Sequence, residues 1–315
     1  MNKVIVTGAN GFIGSCFVKE LLRNGISVIT VDLPNHSDNI NNLDCLNIGC
    51  DLSNPISLLE YSKRISNYVK ECNPDTFFHF AWNGSAGSQR FDTKIQLGNV
   101  QNTIDTLKVS KKLGCKKFVC AGSIMEEESY LAAYAQGNRP GLGYIYGSAK
   151  LAAHAMCMSI AADIDIDLCW AMITNAYGPG EISPRFINTT LRKIINGETL
   201  SFTQAMQNYD FVYIDDIARA FYCIGEYGIP FKRYLIGSGN PQILRNYIRE
   251  MIDTVAPGYN VKFGDIPFTG ISLPIELFSN KDLVKDTGFS CNVSFSEGVL
   301  KTYNFLKEIA CDKII

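Results

Sequence analysis

The stretch Lys3-Val4-Ile5-Val6-Thr7-Gly8-Ala9-Asn10-Gly11-Phe12-Ile13-Gly14 decides how the rest of this chain is read. Residues 3–7 form a short apolar run of strand type, and an amphipathic helical pattern runs from about Phe12 to Arg23. A glycine-rich turn between a strand and a helix lets the backbone approach a pyrophosphate and aims the helix N-terminus at it. Glycines alone mark any tight turn; their placement here makes Gly8, Asn10, Gly11, Phe12, Ile13 and Gly14 candidate cofactor-binding residues. The spacing is Gly-x-x-Gly-x-x-Gly rather than the commoner Gly-x-Gly-x-x-Gly.

Working outward, a second strand from Ser27 to Val31 ends in Asp32. A carboxylate there can accept hydrogen bonds from both hydroxyls of an adenosine ribose and repels a 2′-phosphate, so NAD is expected over NADP. Leu46 to Cys50 reads as a third strand, followed by Asp51-Leu52 where an adenine would lie. A helix from about Pro55 to Val69 precedes a strand from Thr76 to Ala81. The small polar loop Trp82-Asn83-Gly84-Ser85-Ala86-Gly87 follows, and Phe80, Ala81 and Trp82 are candidate cofactor contacts. A long helix, about Asp92 to Leu113, carries Asn99 near its middle as a further candidate. The fifth strand, Lys116 to Ala121, leads into Gly122-Ser123, and a sixth spans Asp167 to Ile173.

Strands alternating with helices predict an α/β doubly wound parallel sheet of Rossmann type with a smaller mixed α/β C-terminal lobe. The expected division is 1–174 as dinucleotide-binding domain, with 209–237 returning to it, and 175–315 as substrate lobe. The turn Asn175-Ala176-Tyr177-Gly178-Pro179-Gly180 marks the break, and Asp215 or Asp216 is expected to cap a helix running to about Gly225.

Ligands of such sheets bind beyond the carboxyl ends of the strands. Ser123 lies at one such end, and a loop of about 22 residues then leads to Tyr144-Ile145-Tyr146-Gly147-Ser148-Ala149-Lys150. On a helix Tyr146 and Lys150 stand one turn apart on one face. A phenol titrates near ~10 in water, and a neighbouring cation favours its ionised form. Tyr303 and Lys307 repeat the spacing, but no strand end feeds them, and they read as part of an amphipathic surface helix.

Composition narrows the function classes. A net charge of -2 gives no electrostatic case for nucleic acid or an anionic membrane. No apolar run is long enough to span a bilayer, and Met1-Asn2-Lys3 leads at once into a strand, so a cytoplasmic protein is expected. The 11 cysteines include no Cys-x-x-Cys pair, which argues against a disulfide framework or a zinc site. Only three histidines occur, His36, His79 and His154, and His79 lies in an apolar run as a core histidine. No metal is expected, and a Ser-His-Asp triad is poorly supported.

Taken in order, Thr7 to Gly14, Ser123, Tyr146 to Lys150, Asn175 to Gly180, Asp210 to Asp216 and Asp282 to Phe289 resemble the extended short-chain dehydrogenase/reductase family. The resemblance is to its NAD-dependent nucleotide-sugar epimerases, dehydratases and ketoreductases. It implies hydride transfer between a nicotinamide and a sugar carbon, with Ser123, Tyr146 and Lys150 catalytic. Tyr146 would be the acid/base, Lys150 would hold the nicotinamide ribose, and Ser123 would hydrogen-bond the sugar oxygen. Asn175 would meet the nucleotide diphosphate, and the protein would be a homodimer acting on a nucleotide sugar.

This sequence also departs from the family pattern. The dehydratases carry an acidic pair after the Ser123 position; here Ile124-Met125 stand there, with Glu126, Glu127 and Glu128 close by. Arginines common before the Asn175 and Asp210 positions are replaced by Met172 and Tyr209, leaving Arg185 and Arg192 as candidate substrate contacts. The first expectation is an epimerase at sugar C4 working through a transient ketone. A 4-ketoreductase making a 6-deoxy nucleotide sugar is the alternative, and a non-catalytic NAD-sensing protein a third.

Overall fold

A computed structural model describes residues 1–34, 39, 40, 42–69 and 73–312; His36 lies outside the described residues. Strands β1 (Lys3–Thr7), β2 (Ser27–Asp32), β3 (Leu46–Gly49), β4 (Thr76–His79), β5 (Lys117–Ser123) and β6 (Asp167–Ile173) join Lys232–Ile236 in a seven-stranded sheet. All neighbours pair in parallel, in the order Lys232–Ile236, β6, β5, β4, β1, β2, β3. The order reverses between β1 and β4, which opens a crevice beyond their carboxyl ends.

Helices cover both faces of the sheet, so the alternating side chains of its inner strands are buried on either side. Val4, Val6, Phe78, Val119 and Ala171 enter one core with helix α1 (Phe12–Arg23). Ile5, Phe77, Phe118, Trp170 and Met172 enter a second core on the other face. Phe17 and Phe78 pack at 4.5 Å and Phe77 and Phe118 at 5.4 Å, one pair on each side of the sheet. Each such ring contributes about 1.5–3 kcal/mol by leaving water.

Local chemistry sets the helix boundaries. The run expected to be one helix from Pro55 to Val69 is instead a 3-10 segment, Pro55–Tyr61, leading into α2 (Ser62–Tyr68). Ser57 donates both its N–H (3.1 Å) and its hydroxyl (2.8 Å) to the Asn54 carbonyl, so the side chain competes for the acceptor that a regular helix would use. Helix α3 (Thr93–Lys112) is capped by Asp92, whose carboxylate accepts from the N–H groups of Lys94 (2.9 Å) and Ile95 (3.1 Å).

The stretch expected to be a loop after Ser123 holds helix α4 (Met125–Tyr134) before α5 (Ile145–Asp163). Glu126, Glu127 and Glu128 in its first turn complement the helix dipole, and that acidic triplet was the available signal. Helix α6 (Phe186–Ile195) follows β7 (Asn175–Tyr177). Helix α7 (Ile214–Tyr227) starts at Tyr213 without a side-chain cap, so neither Asp215 nor Asp216 caps it. Asp216 turns away to accept from the N–H groups of Asn292 and Val293, both at 3.1 Å, and pairs with Arg219. Tyr303 and Lys307 lie on the C-terminal helix Phe295–Asp312, with the Lys307 ammonium 5.5 Å over the Tyr303 ring. No helix among the described residues is long and apolar enough to cross a membrane.

Candidate active site

The glycine turn connects β1 to α1 at the crevice. A Cβ on Gly14 would lie 2.1 Å from the Gly8 carbonyl oxygen, so only glycine lets α1 pack this closely on the turn. Gly11 heads α1 with no side-chain cap and no acidic residue in the first turn. The first amides of the helix are thus available to an anion. Asp32, at the carboxyl end of β2, accepts from the N–H groups of Asn10 and Leu33, both at 2.8 Å. The Asn10 side-chain oxygen is buried beside this turn without a hydrogen-bond partner. An uncapped helix start, a nearby carboxylate and an orphaned polar atom fit an adenine dinucleotide.

Other expected cofactor residues line the same strand ends with different side-chain duties. Phe12 and Ile13 are half-buried on the first turn of α1, and Leu52 is buried just beyond β3. Asp51 accepts from the Ser53 N–H at 2.8 Å. Phe80 turns its ring into the core against Phe221 (4.6 Å), leaving only its backbone, with that of Ala81, beside Gly8. Asn99 accepts from the Asn83 N–H (2.9 Å) and donates to the Asn83 carbonyl (2.7 Å), clamping the loop after β4. His79 is the core histidine expected: its ring nitrogens meet Thr7 (2.8 Å) and Thr103 (3.2 Å). Burial, assisted by Lys150, holds it down to about 3, so it is neutral.

Tyr146 and Lys150 both lie on α5 and are buried, 9% and 4% exposed. A Cβ on Gly147 would fall 2.2 Å from the Met125 carbonyl, so this glycine seats the Tyr146 turn directly on α4. Lys150 Nζ donates to the Ala121 carbonyl at 2.7 Å, which ties α5 to the end of β5 two residues before Ser123. The same ammonium stands 3.7 Å over the Trp82 ring, and Trp82 meets Tyr146 edge-on at 6.1 Å.

Ser123 is positioned by Glu126. The Glu126 carboxyl group, 2% exposed, accepts from the Ser123 N–H (2.8 Å), Trp170 Nε1 (3.0 Å) and His154 Nδ1 (3.0 Å). His154 stacks on Trp170 at 4.6 Å. Glu126 is therefore spent beneath the strand, and Glu127 pairs with Arg233. Burial raises Glu128 to about 7, with Arg90 opposing.

Among the expected substrate contacts, Asn175 donates its side-chain amide to the Asp210 carbonyl at 2.9 Å. Arg185 lies 2.9 Å from Glu181 and near enough to Arg90 to act on it electrostatically. Arg192 donates to the Ile182 carbonyl at 3.1 Å. The sequence reading missed Arg90, whose guanidinium carbon lies 4.5 Å from the centroid of the Tyr146 ring. No local pattern surrounds it; only packing reveals it.

The model of the NAD dependent epimerase/dehydratase family matches residues 4–237. The chain belongs to this family. Membership makes it an NAD-dependent enzyme, in line with the uncapped glycine turn and Asp32. In sequence it is 25% identical to dTDP-4-dehydro-6-deoxyglucose reductase of Escherichia coli, over 98% of both chains. It is 29% identical to dTDP-6-deoxy-L-talose 4-dehydrogenase (NAD(+)) of Aggregatibacter actinomycetemcomitans, over 82% of this chain and 94% of that one. Its fold is similar to UDP-glucose 4-epimerase from Thermotoga maritima, with a TM-score of 0.78 at 21% identity, covering 98% and 99% of the two chains. UDP-N-acetylglucosamine 4-epimerase from Methanobrevibacter ruminantium gives a TM-score of 0.79 at 20% identity over the same shares. Its relatives in sequence thus include a nucleotide-sugar reductase, and nucleotide-sugar 4-epimerases share its fold.

Proposed function

We propose that this enzyme carries out hydride transfer at C4 of a nucleotide sugar, working as a 4-ketoreductase. The observation that carries the hydride-transfer chemistry is that Lys150 and Tyr146 are held at the Ser123 end of β5, by the bond from Lys150 to Ala121 and by Gly147 on α4; the C4 position is supported by likeness to a 4-dehydro sugar reductase. Ser123 would hold the sugar oxygen by a hydrogen bond, and Tyr146 would give that oxygen its proton as the ketone is reduced. Lys150 would supply positive charge as the phenol loses its proton. NAD in its reduced form supplies the hydride when bound.

Likeness in sequence to a 4-dehydro sugar reductase over 98% of both chains supports the reductase over the epimerase expected first. Dehydration draws no support from Glu126 or Glu127, which are engaged with Ser123, Trp170, His154 and Arg233. Epimerisation stands as the second reading, supported by the fold likeness to 4-epimerases and by Asp32, which suits an NAD retained through each turnover. A homodimer through α3 and α5 is supported by Leu97 and Met156, which those helices leave 66% and 51% exposed.

The test denatures purified protein, assays the released cofactor, and supplies dTDP-4-dehydro-6-deoxyglucose with reduced cofactor. Net cofactor oxidation, one equivalent per sugar, is expected. Stoichiometric bound NAD, with sugar interconversion and no net cofactor change, would replace this reading with the epimerase.

A further inference from the structure

Arg90 belongs to a 3-10 turn, Ser88–Phe91, between β4 and α3. Helix α3 holds that turn in place. Gln96 donates to the carbonyls of Gly84 (3.0 Å) and Gln89 (3.1 Å) and accepts from Trp82 Nε1 (2.8 Å). The turn thereby lays the Arg90 guanidinium over the Tyr146 ring at 4.5 Å, while Trp82 closes the ring from its edge. Arg90 Nε is buried and has no hydrogen-bond partner. A partly buried guanidinium with an orphaned N–H is costly unless a negative charge faces it during the working cycle.

The ring supplies that charge. A neutral phenol offers a cation only its weakly negative face. A phenolate spreads a full negative charge over the same atoms, so the attraction grows as the proton leaves. We propose that Arg90 is a positioning residue that fixes the Tyr146 ring from its face and, acting with Lys150, favours the tyrosinate during turnover. This rests on Tyr146 being the proton carrier of the proposed reaction.

Charged and titratable groups reach the pair from each side. Lys150 shares α5 with Tyr146 and is held by Ala121 and Trp82. His79 and Cys120 lie close to Lys150 on the sheet side, both buried. Glu128 on α4, Arg185 and Tyr209 act on Arg90 from the other side. Burial lowers Arg90, and Tyr146 is the strongest influence opposing it. Glu128, raised to about 7, is only partly charged near neutrality and competes weakly with the ring for the guanidinium.

The test titrates phenolate absorbance without substrate. Subtracting the matching Tyr146→Phe protein isolates one phenol among the 15 tyrosines. Arg90→Gln should raise the midpoint of the Tyr146 signal, so that less phenolate forms at a fixed pH. Arg90→Lys, which keeps the charge without the planar stack, should recover part of that shift. An unchanged midpoint in folded Arg90→Gln overturns the proposal. If Arg90→Gln fails to fold, Arg90→Lys decides: its midpoint should still lie above that of the parent, and an unchanged one counts against. Turnover by Tyr146→Phe would refute the proton-carrier reading separately, because the titration needs no catalysis.

Discussion

Glu126→Ala should destabilise the fold by about 4 kcal/mol, because it orphans three donors at once. The carboxyl group accepts from the Ser123 N–H at 2.8 Å and from Trp170 Nε1 and His154 Nδ1 at 3.0 Å. An unsatisfied buried donor costs about 1–3 kcal/mol. The Ser123 and Trp170 donors stay buried and bear the full cost, whereas His154 can move its proton to the other ring nitrogen and bears less. The deleted methylene and carboxyl add a small cavity. For a chain of 315 residues, about 4 kcal/mol lowers the melting temperature by about 6 °C. Glu126→Gln keeps an oxygen for Ser123 and Trp170 and presents its amide to His154, so it should cost about 1 kcal/mol. Calorimetric melting of the two variants beside the parent is the assay. Alanine and glutamine variants melting together would refute the assignment of Glu126 as the acceptor that holds the Ser123 strand end. If the assignment is right, kcat should also fall more in the alanine variant.

Asp32→Ala removes the carboxylate expected at the adenosine ribose, so kcat/KM should fall about tenfold with NAD and rise with the 2′-phosphorylated cofactor; steady-state kinetics with each cofactor checks this, and an unchanged preference counts against the role. Glu128 yields a stability prediction with a definite sign. Burial raises it from 4.5 to about 7, so its contribution to stability is full below about 4.5 and is lost as pH rises through 7. Glu128→Gln should therefore be more stable than the parent at pH 8, by up to about 3 kcal/mol, and lose that advantage at pH 4; denaturant unfolding at both pH values measures it, and equal stability at pH 8 would refute the burial argument.

Much of this protein is legible in local sequence. Helix Phe12–Arg23 and strand Asp167–Ile173 occupy the residues that periodicity assigns them, because apolar spacing and turn chemistry act over a few residues. Tyr146 and Lys150 are likewise a local fact, one helical turn apart on α5. Misreadings arose where a local rule had a competitor. Pro55–Tyr61 has helical composition, yet Ser57 takes the Asn54 carbonyl; Asp216 has a capping position, yet it answers backbone N–H groups far along the chain.

Local sequence is enough for the first six strands of the sheet, the glycine turn with Asp32 after the next strand, and the one-turn spacing of Tyr146 and Lys150. Each follows from short-range periodicity, glycine's freedom from Cβ contact, or helical spacing. Packing settles what the intervening charges do: Glu126 beneath Ser123, Glu127 against Arg233, Arg90 over Tyr146. Which way those side chains turn depends on burial and on partners from distant segments, and spacing along the chain carries no record of either.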